Sequence, residues 1–526
     1  MTGGLLCLIL HAHLPFVKHP EYDNPYEERW LYSAVTESYI PLLKVFNNLA
    51  EDDIPFRITV SLSPPLLEML SDGFLMGRYL KHLDALLRLA EKEVGRTSSD
   101  PCMNSLARRN LAELQDIRRT FEDRFRFDLI KPWRDLESAG YLELITSAAT
   151  HGYLPLMLRT ESIRAQVVTG TRVFRRHFGH DPLGFWLPEC AYTPVVEPFL
   201  RQEGFRYFIL ETHGILHARP RPKYGFYAPI VTPERLLCFG RDPDCSKQVW
   251  SQDEGYPGDP WYRDFYRDIG YDLPEDYLAE ALPGGARAPI GLKYWRITEK
   301  RSAHKELYRP EVARERAWEH AGNFMFWRTR EAEWWSGALG RIPVMVAPYD
   351  AELFGHWWYE GPMWLEFLIR RMHREQRDVV MISASQYPEF YPINQVARPA
   401  ESSWGYKGYH EVWLEGSNDW IYRHLHHAED RMIEVARRWK NARGLRFRAL
   451  CQAARELLLA QSSDWPFIMK TGTVPGYARH RFITHMGRFQ RLLQEIEEGA
   501  IDPLFLKKLE ETDSLFPDVD YRVYAS

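Results

Sequence analysis

The chain has 526 residues, a charged fraction of 26% and a formal net charge of −5 at pH 7. A nucleic-acid-binding protein needs a basic face and a membrane-surface protein needs cationic patches, so this composition argues against both partners. The length exceeds one ordinary domain and fits a large barrel that carries an appended domain.

The first apolar run, Leu5 to Leu10, is too short for a signal sequence or a membrane span, and no basic segment precedes it. We interpret it as a buried strand. The six cysteines are scattered along the chain without a CxxC pair, which argues against a disulfide framework and a zinc ribbon. Their distribution favours a reducing, cytoplasmic location.

Short apolar runs alternate with amphipathic stretches over residues 1–397, a pattern typical of a parallel sheet covered by helices. Seven or eight such units favour an α/β fold of the (β/α)-barrel type over an open sheet. We predict strands at Leu5–Leu10, Arg57–Leu62, Leu142–Thr146, Gly184–Leu187, Tyr207–Leu210, Pro289–Leu292, Pro343–Ala347 and Val379–Ile382.

Three regions depart from this alternation. Residues 75–137 are helical in pattern and predict a helical insertion, whereas residues 205–272 are rich in Pro, Gly and aromatic residues and predict long loops over the barrel mouth. We therefore predict a barrel domain at 1–397 and a helical C-terminal domain at 398–526. The helices of the second domain are expected at about Ile421–Arg443, Phe447–Ala460, Ala478–Glu498 and Asp502–Asp513.

Polar side chains follow four of the predicted strands, where a (β/α) barrel places its active site. His11 and His13 follow the first strand, His151 the third, Glu189 the fourth and Asp350 the seventh. Each has an alternative structural explanation, because histidines after strands commonly make structural hydrogen bonds and an Asp often caps a helix.

Glu189 is harder to explain as a structural residue. It lies among Trp186, Cys190 and Tyr192, where desolvation destabilises a carboxylate that lacks a partner or a function. Aromatic residues make up 14% of the chain, and most of them must be core. The stretch 402–420, SSWGYKGYHEVWLEGSNDW, is too rich in Gly and polar residues for core, so its indoles are expected to stack on sugar rings.

Two enzymatic chemistries and one binding role are compatible with these residues. The first is glycosyl transfer, in which one carboxylate attacks and a second carboxyl group gives and takes a proton. The second is zinc-dependent hydrolysis at His11 and His13, as in metal-dependent carbohydrate deacetylases. The third is non-catalytic glucan binding. Aromatic walls favour the first, the lack of a clear Asp–Asp or HxxxH ligand set weakens the second, and strand-end carboxylates argue against the third.

Five segments together resemble the motifs of glycoside hydrolase family 57, and within it the branching-enzyme subgroup. They are HAHLP from His11, ATHGYLPL from Ala149, WLPECAY from Trp186, YDAELFGHWW from Tyr349 and SSWGYKGYHEVWLEGSNDWIYRHLH from Ser402. The resemblance implies an incomplete TIM-like (β/α)7 barrel with a helical insertion and a C-terminal helical domain. It also implies retention of anomeric configuration and no metal or other cofactor.

Carried over by motif, Glu189 is similar to the nucleophile of the family and Asp350 to its acid/base. The resemblance implies sugar contacts by Arg241, Trp250 and Gly258 within FGRDPDCSKQVWSQDEGYPGDP, and by Trp404, Trp413 and Asp464. His11, His13 and His151 are expected to line the donor pocket as hydrogen-bond donors.

The implied function is that of a 1,4-alpha-glucan branching enzyme in glycogen biosynthesis. Such a transferase cleaves an alpha-1,4 glucan and rejoins the chain through an alpha-1,6 bond, so that glucan is both donor and acceptor. Alpha-amylase and 4-alpha-glucanotransferase remain alternatives, because all three share the first step. The motifs do not report whether water or a glucan hydroxyl receives the chain.

Overall fold

The computed structural model of the chain describes residues 3–282, 287–299 and 302–525. Its centre is one nine-stranded sheet. The strands are β1 (Gly4–Ala12), β2 (Ile58–Leu62), β3 (Leu142–Ser147), β4 (Gly184–Trp186), β5 (Tyr207–Leu210), β6 (Ile230–Val231), β7 (Leu237–Gly240), β8 (Val344–Asp350) and β9 (Val379–Met381).

The strands run in the order β6-β7-β5-β4-β3-β2-β1-β8, and β9 pairs with the first residues of β1. All pairings are parallel except that of β6 with β7. The amide of Asp242, two residues after β7, donates to the carbonyl of Val346 in β8 at 2.8 Å. The two ends of the sheet therefore approach each other, and the predicted incomplete barrel is confirmed.

Strand β1 pairs with β2, β8 and β9, and all nine of its residues are buried. An almost continuous apolar run such as GLLCLILHA is typical of a parallel strand covered on both faces. Its register with β8 pairs Leu5 with Val344 and His11 with Asp350. The carboxyl ends of both strands therefore place their polar residues side by side.

Helices cover the sheet and form the C-terminal region. They are α1 (Glu28–Ala34), α2 (Ile40–Glu51), α3 (Pro64–Leu70), α4 (Gly73–Arg96), α5 (Pro101–Arg119), α6 (Lys131–Ser138), α7 (Thr160–Phe178), α8 (Glu197–Gln202), α9 (Thr212–Leu216), α10 (Pro243–Trp250), α11 (Ile269–Asp272), α12 (Glu275–Leu278), α13 (Pro310–Leu339), α14 (Gly361–Glu375), α15 (Tyr387–Phe390), α16 (Trp420–Arg438), α17 (Gly444–Ala460), α18 (Asp464–Thr471), α19 (Pro475–Glu498) and α20 (Pro503–Thr512). In the described residues, no helix is long and apolar enough to cross a membrane.

Seven of the eight predicted strands are present, and Pro289–Leu292 is wrong. The amides of Ile290 and Gly291 donate to the buried carboxylate of Asp268 at 2.9 and 2.8 Å, so they are not free for a ladder. Strands β6 and β7 were not predicted, because they are short and lie in the Pro- and Gly-rich stretch 205–272 that we interpreted as loops.

The helical predictions agree with the structure. Helices α4 to α6 occupy most of the predicted insertion at 75–137, and α16 to α20 follow residue 398. Asp502 caps α20 by accepting from the amides of Leu504 and Phe505. Helix α18 was not predicted, because it has only eight residues and Pro466 near its start is not typical of a helix interior. The domain boundary itself stays a prediction.

Candidate active site

A cavity of about 820 Å³ opens at the carboxyl ends of the parallel strands. Ten of the eleven site residues expected from the sequence line it. They are His11, His13, His151, Glu189, Arg241, Trp250, Asp350, Trp404, Trp413 and Asp464. These positions come from distant parts of the chain, and the barrel brings them together.

Gly258 is the expected site residue that lies elsewhere. It belongs to a short turn, Tyr256–Gly258, and lines a separate concavity with Asp259 and Arg316. The Tyr256 hydroxyl donates to the side chain of Asn323 on α13 at 2.8 Å, which directs this turn toward the outer helix. The position of Gly258 therefore gives no support to a sugar contact in the main cavity.

Glu189 stands on a strained turn just after β4. Glu189 and Cys190 have φ of +62° and +48°, in the left-handed region that non-glycine residues seldom adopt. Such strain persists only where the surroundings hold it, and it is typical of functional sites. Here the amide of Trp404 donates to the Glu189 carbonyl at 3.0 Å. The turn points the carboxyl group into the cavity.

Both oxygens of the Glu189 side chain accept a hydrogen bond. The Trp404 indole donates to Oε2 at 2.8 Å, and the Ser463 hydroxyl donates to Oε1 at 3.1 Å. Burial raises the pKa of Glu189 to about 7, and the bonds from Trp404 and Ser463 oppose this rise by stabilising the charged form. The group therefore ionises near neutral pH.

Asp350 is the last residue of β8. Burial raises the pKa of Asp350 well above its ordinary value, the charges of Glu352 and Glu189 add to the rise, and Arg241 opposes it. Arg241 is held in place by Glu211 at 2.9 Å. A raised pKa favours the protonated form of Asp350, and a protonated carboxyl group near an ionised carboxylate is the arrangement that two-carboxylate chemistry requires.

A chain of hydrogen bonds runs from β2 to Glu189 through two histidines. Ser61 bonds His11 at 3.0 Å, His11 bonds His151 at 3.0 Å, and His151 bonds Ser463 at 2.8 Å. Burial holds the pKa of both histidines well below the ordinary value, and the charge of His13 adds to this. Both rings are therefore neutral, and each donates one hydrogen bond and accepts one.

His13 differs from the other two histidines. Burial lowers its pKa, but Asp464, followed by Glu189 and Glu352, raises the pKa of His13 above the ordinary value. Its ring bonds Asp464 at 3.1 Å and stacks on His151 at 3.9 Å between centroids. The raised pKa favours the protonated ring, whose charge stabilises the ionised form of Glu189.

Two residues of this network were missed by sequence reasoning. Glu352, which is buried, accepts from the amide of His13 at 3.1 Å and from the hydroxyl of Tyr39. Ser463 bridges His151 and Glu189. Glu352 was visible as a second acid in the motif that contains Asp350, whereas Ser463 carried no local signal.

The zinc arrangement considered for His11 and His13 is not formed. Their ring nitrogens bond Ser61, His151, Ser63 and Asp464. Among the described residues, two groups have metal-ligand spacing, and neither includes a cavity histidine. They are Asp242 with Cys245 and Glu331, and Glu456 with His485 and Asp513.

Aromatic rings form the cavity walls in two different ways. Trp250 and Trp357 are each 44% exposed and meet edge to face, so their surfaces are open to a ligand. Trp413 is 1% exposed and stacks on Tyr153 at 4.5 Å. The expectation that the stretch 402–420 stays out of the core is therefore wrong for Trp413.

Comparisons with known proteins agree with this geometry. Residues 7–396 match the model of glycosyl hydrolase family 57, and residues 424–524 match the model described as 1,4-alpha-glucan branching enzyme, C-terminal. A 1,4-alpha-glucan branching enzyme of Thermococcus kodakarensis is 34% identical, and the alignment covers 99% of this chain and 79% of that protein.

Two solved structures are similar over almost the entire chain. The alpha-amylase AmyC from Thermotoga maritima is 41% identical with a TM-score of 0.93, and 99% of each chain is covered. A branching enzyme of the same family from Pyrococcus horikoshii is 33% identical with a TM-score of 0.90, and the coverage is 100% of this chain and 97% of that chain.

Proposed function

The chain belongs to glycosyl hydrolase family 57, and from this premise we propose that it is a 1,4-alpha-glucan branching enzyme. One observation carries the proposal beyond the family. Ser463 and Asp464 lie in the stretch 424–524 that matches the branching-enzyme C-terminal model, and they bond Glu189 and His13. A segment similar to branching enzymes therefore contributes to the proposed catalytic cavity, which supports the proposal.

The first step of the proposed reaction cleaves the donor glucan. Ionised Glu189 attacks the anomeric carbon, and Asp350 gives its proton to the glycosidic oxygen that leaves. A glycosyl ester forms on Glu189, and the fragment with the old reducing end departs with the proton of Asp350. The raised pKa of Asp350 supports this division of roles, because it favours the protonated form that can donate to the leaving oxygen.

The second step transfers the chain. Asp350, now ionised, takes the proton of a glucan 6-hydroxyl, whose oxygen attacks the anomeric carbon and releases Glu189. Two displacements at one carbon retain its configuration, and the product carries an alpha-1,6 branch. Asp350 regains its proton, so both groups return to their starting states.

The remaining polar residues are proposed to shape the donor pocket and to support Glu189. The protonated form of His13 stabilises the charge on Glu189, and the neutral rings of His11 and His151, whose nitrogens bond Ser61, Ser463 and each other, line the pocket and hold Ser463 against Glu189. Trp250 and Trp404 supply apolar ring faces at the cavity wall. No step of this reaction requires a metal or another cofactor.

Hydrolysis is the alternative outcome of the same ester, and a specific observation favours it. The relative with 41% identity is named an alpha-amylase. Branching requires that an acceptor glucan outcompete water at the intermediate. Exposed rings at the cavity mouth, such as Trp357 and Tyr406, are suited to hold that acceptor.

We also propose that the reaction serves glycogen biosynthesis in the cytoplasm. All six cysteines are free thiols and five of them are buried, which agrees with a reducing compartment.

The proposed domain division places the barrel at 1–397 and the helical domain at 398–526.

The proposed function is tested by incubation of the protein with amylose. Enzymatic debranching and chain analysis then give the number of branches, and a reducing-end assay gives the number of hydrolysed bonds. We expect many branches for each new reducing end, because the acceptor replaces water. New reducing ends without branches would assign the chain as an amylase and would overturn the proposal.

The assignment of Glu189 and Asp350 predicts a severe loss of activity in two variants. Glu189→Gln cannot form the ester and Asp350→Asn cannot donate a proton, so each should lose roughly 10³-fold or more of branching activity. Glu197→Gln is the control, because that carboxyl group is also buried but bonds Tyr192 outside the cavity. Near-normal turnover of either cavity variant at wild-type thermal stability would refute the assignment.

The Trp404 hydrogen bond predicts a change in pH dependence. Trp404→Phe removes the indole donor but keeps a ring, so it destabilises the ionised form of Glu189 and raises its pKa above about 7. The variant should therefore lose activity on acidification at a higher pH than the wild type does. The expected shift is roughly one pH unit, the size expected from the loss of a hydrogen bond to a charged group.

The measurement is the acidic limb of kcat/KM against pH. Trp250→Phe is the control, because Trp250 lines the same cavity but donates no bond to Glu189 in the described structure. A limb that stays in place, or moves to lower pH, in Trp404→Phe would show that the indole does not tune Glu189.

A further inference from the structure

Helix α13 carries large aromatic side chains that the proposed mechanism does not use. Trp327 is 49% exposed and Trp334 is 71% exposed. Neither ring lines the catalytic cavity formed by the described residues. Contiguous exposed apolar surface commonly marks a binding surface, whereas single exposed rings do not, so the placement of these rings on the helix matters.

The two indoles lie on one continuous face of α13. The positions Arg316, His320, Asn323, Trp327 and Trp334 are separated by steps of three, four and seven residues, which align on one side of a helix. The stripe spans about 27 Å along the axis, and Trp327 and Trp334 are about 10 Å apart along it. An adjoining face, about 90° further around the helix, packs against the protein through Ala313, Ala317, Ala321 and Phe324.

A groove lies between this stripe and the segment 244–259. Trp327 lines a concave site of about 340 Å³, and Arg316, His320 and Asn323 line an adjoining concavity of about 520 Å³. Both are bordered by Glu254. The first site is completed by Asp244, Lys247, Gln248 and Arg328.

The polar groups of the first site suit a neutral, hydroxyl-bearing ligand. The acids Asp244 and Glu254 are balanced by Lys247 and Arg328, so a polyanion gains no net attraction. The side-chain oxygen of Gln248 is buried and has no hydrogen-bond partner, although Gln248 lines this site. A ligand hydroxyl that donates to this oxygen would satisfy it.

We propose that this groove is a second, non-catalytic binding site for a linear alpha-1,4-glucan. Trp327 is its stacking platform, Trp334 extends the same exposed face of α13 beyond the groove, and Gln248 accepts from a glucan hydroxyl. The choice of ligand rests on the proposed function, because the polymer offers both apolar ring faces and hydroxyl donors. The evidence for the groove itself is independent of the proposed function, because it comes only from the geometry of α10 and α13.

The position of the groove gives it a role in catalysis. Helix α10 contributes Lys247 and Gln248 to the groove, and its last residue, Trp250, lines the catalytic cavity. A polymer held in the groove is therefore tethered near the cavity, which raises the local concentration of donor and acceptor chains. A short oligosaccharide that fills only the cavity gains nothing from this tether.

The test measures binding in the inactive background Glu189→Gln, so that the polymer is not altered. Electrophoresis in gels that contain amylose gives the polymer affinity, and calorimetry with maltotriose gives the affinity of the cavity. Adding Trp327→Ala and Trp334→Ala should weaken the amylose affinity about tenfold and leave the maltotriose affinity unchanged. Each substitution is also made singly, and Trp334→Ala removes a side chain that is mostly exposed.

Trp318→Ala is the matched control, because Trp318 is 42% exposed on the same helix but packs against Phe367 and Arg371. It should leave the amylose affinity unchanged. If the Glu189→Gln parent binds amylose and the groove variants bind it equally well, this proposal is overturned and the proposed function stands. If the parent binds neither amylose nor maltotriose, both fail. Binding of heparin that depends on Trp327, without binding of amylose, would assign the groove to another polymer and also overturn the proposal.

Discussion

The site depends on the pair of hydrogen bonds that hold the Glu189 carboxyl group. Without donors, a carboxylate that is removed from water is destabilised by desolvation and takes up a proton. The indole of Trp404 and the hydroxyl of Ser463 each bond one of its oxygens. Both donors come from beyond the last strand of the barrel. The barrel therefore positions Glu189, and the C-terminal part of the chain stabilises the ionised form of its carboxyl group near neutral pH.

The sheet supplies the second half of this arrangement. The register of β1 with β8 places His11 beside Asp350. Burial raises the pKa of Asp350 well above its ordinary value, and repulsion by the charges of Glu352 and Glu189 adds to the rise. Arg241 moderates this repulsion from the end of β7, where Glu211 holds it. The surroundings of the two carboxyl groups thus follow from strand order and burial, and they support the roles we propose for them.

Much of this site is predictable from sequence, because a parallel barrel gathers whatever follows its strands. His11, His151, Glu189 and Asp350 could be named from their positions alone, and the buried strand β1 from its apolar run. Ser463 could not, since it lies 274 residues from the carboxylate that it bonds and has no local pattern of its own.

Other errors have equally physical causes. The short strand β7 lies among turn-forming residues, which conceal its pattern in the sequence. Gly258 belongs to a turn that the hydrogen bond of Tyr256 directs away from the cavity. Trp413 lines the cavity as expected, but it also packs on Tyr153 and is buried, which its polar neighbours in the sequence do not indicate. Local composition reports the average environment of a segment and does not report which side chain turns inward.

The central claim is that the glycosyl group passes through an ester on Glu189. The most direct test uses Asp350→Asn with a maltosyl fluoride donor, because fluoride leaves without a proton donor while breakdown of the ester, which needs the base, is slow. Mass spectrometry of the digested protein should then find the added sugar mass on the peptide that contains Glu189, and none in the double variant with Glu189→Gln. A sugar adduct on another carboxylate, such as Glu352, would contradict the account.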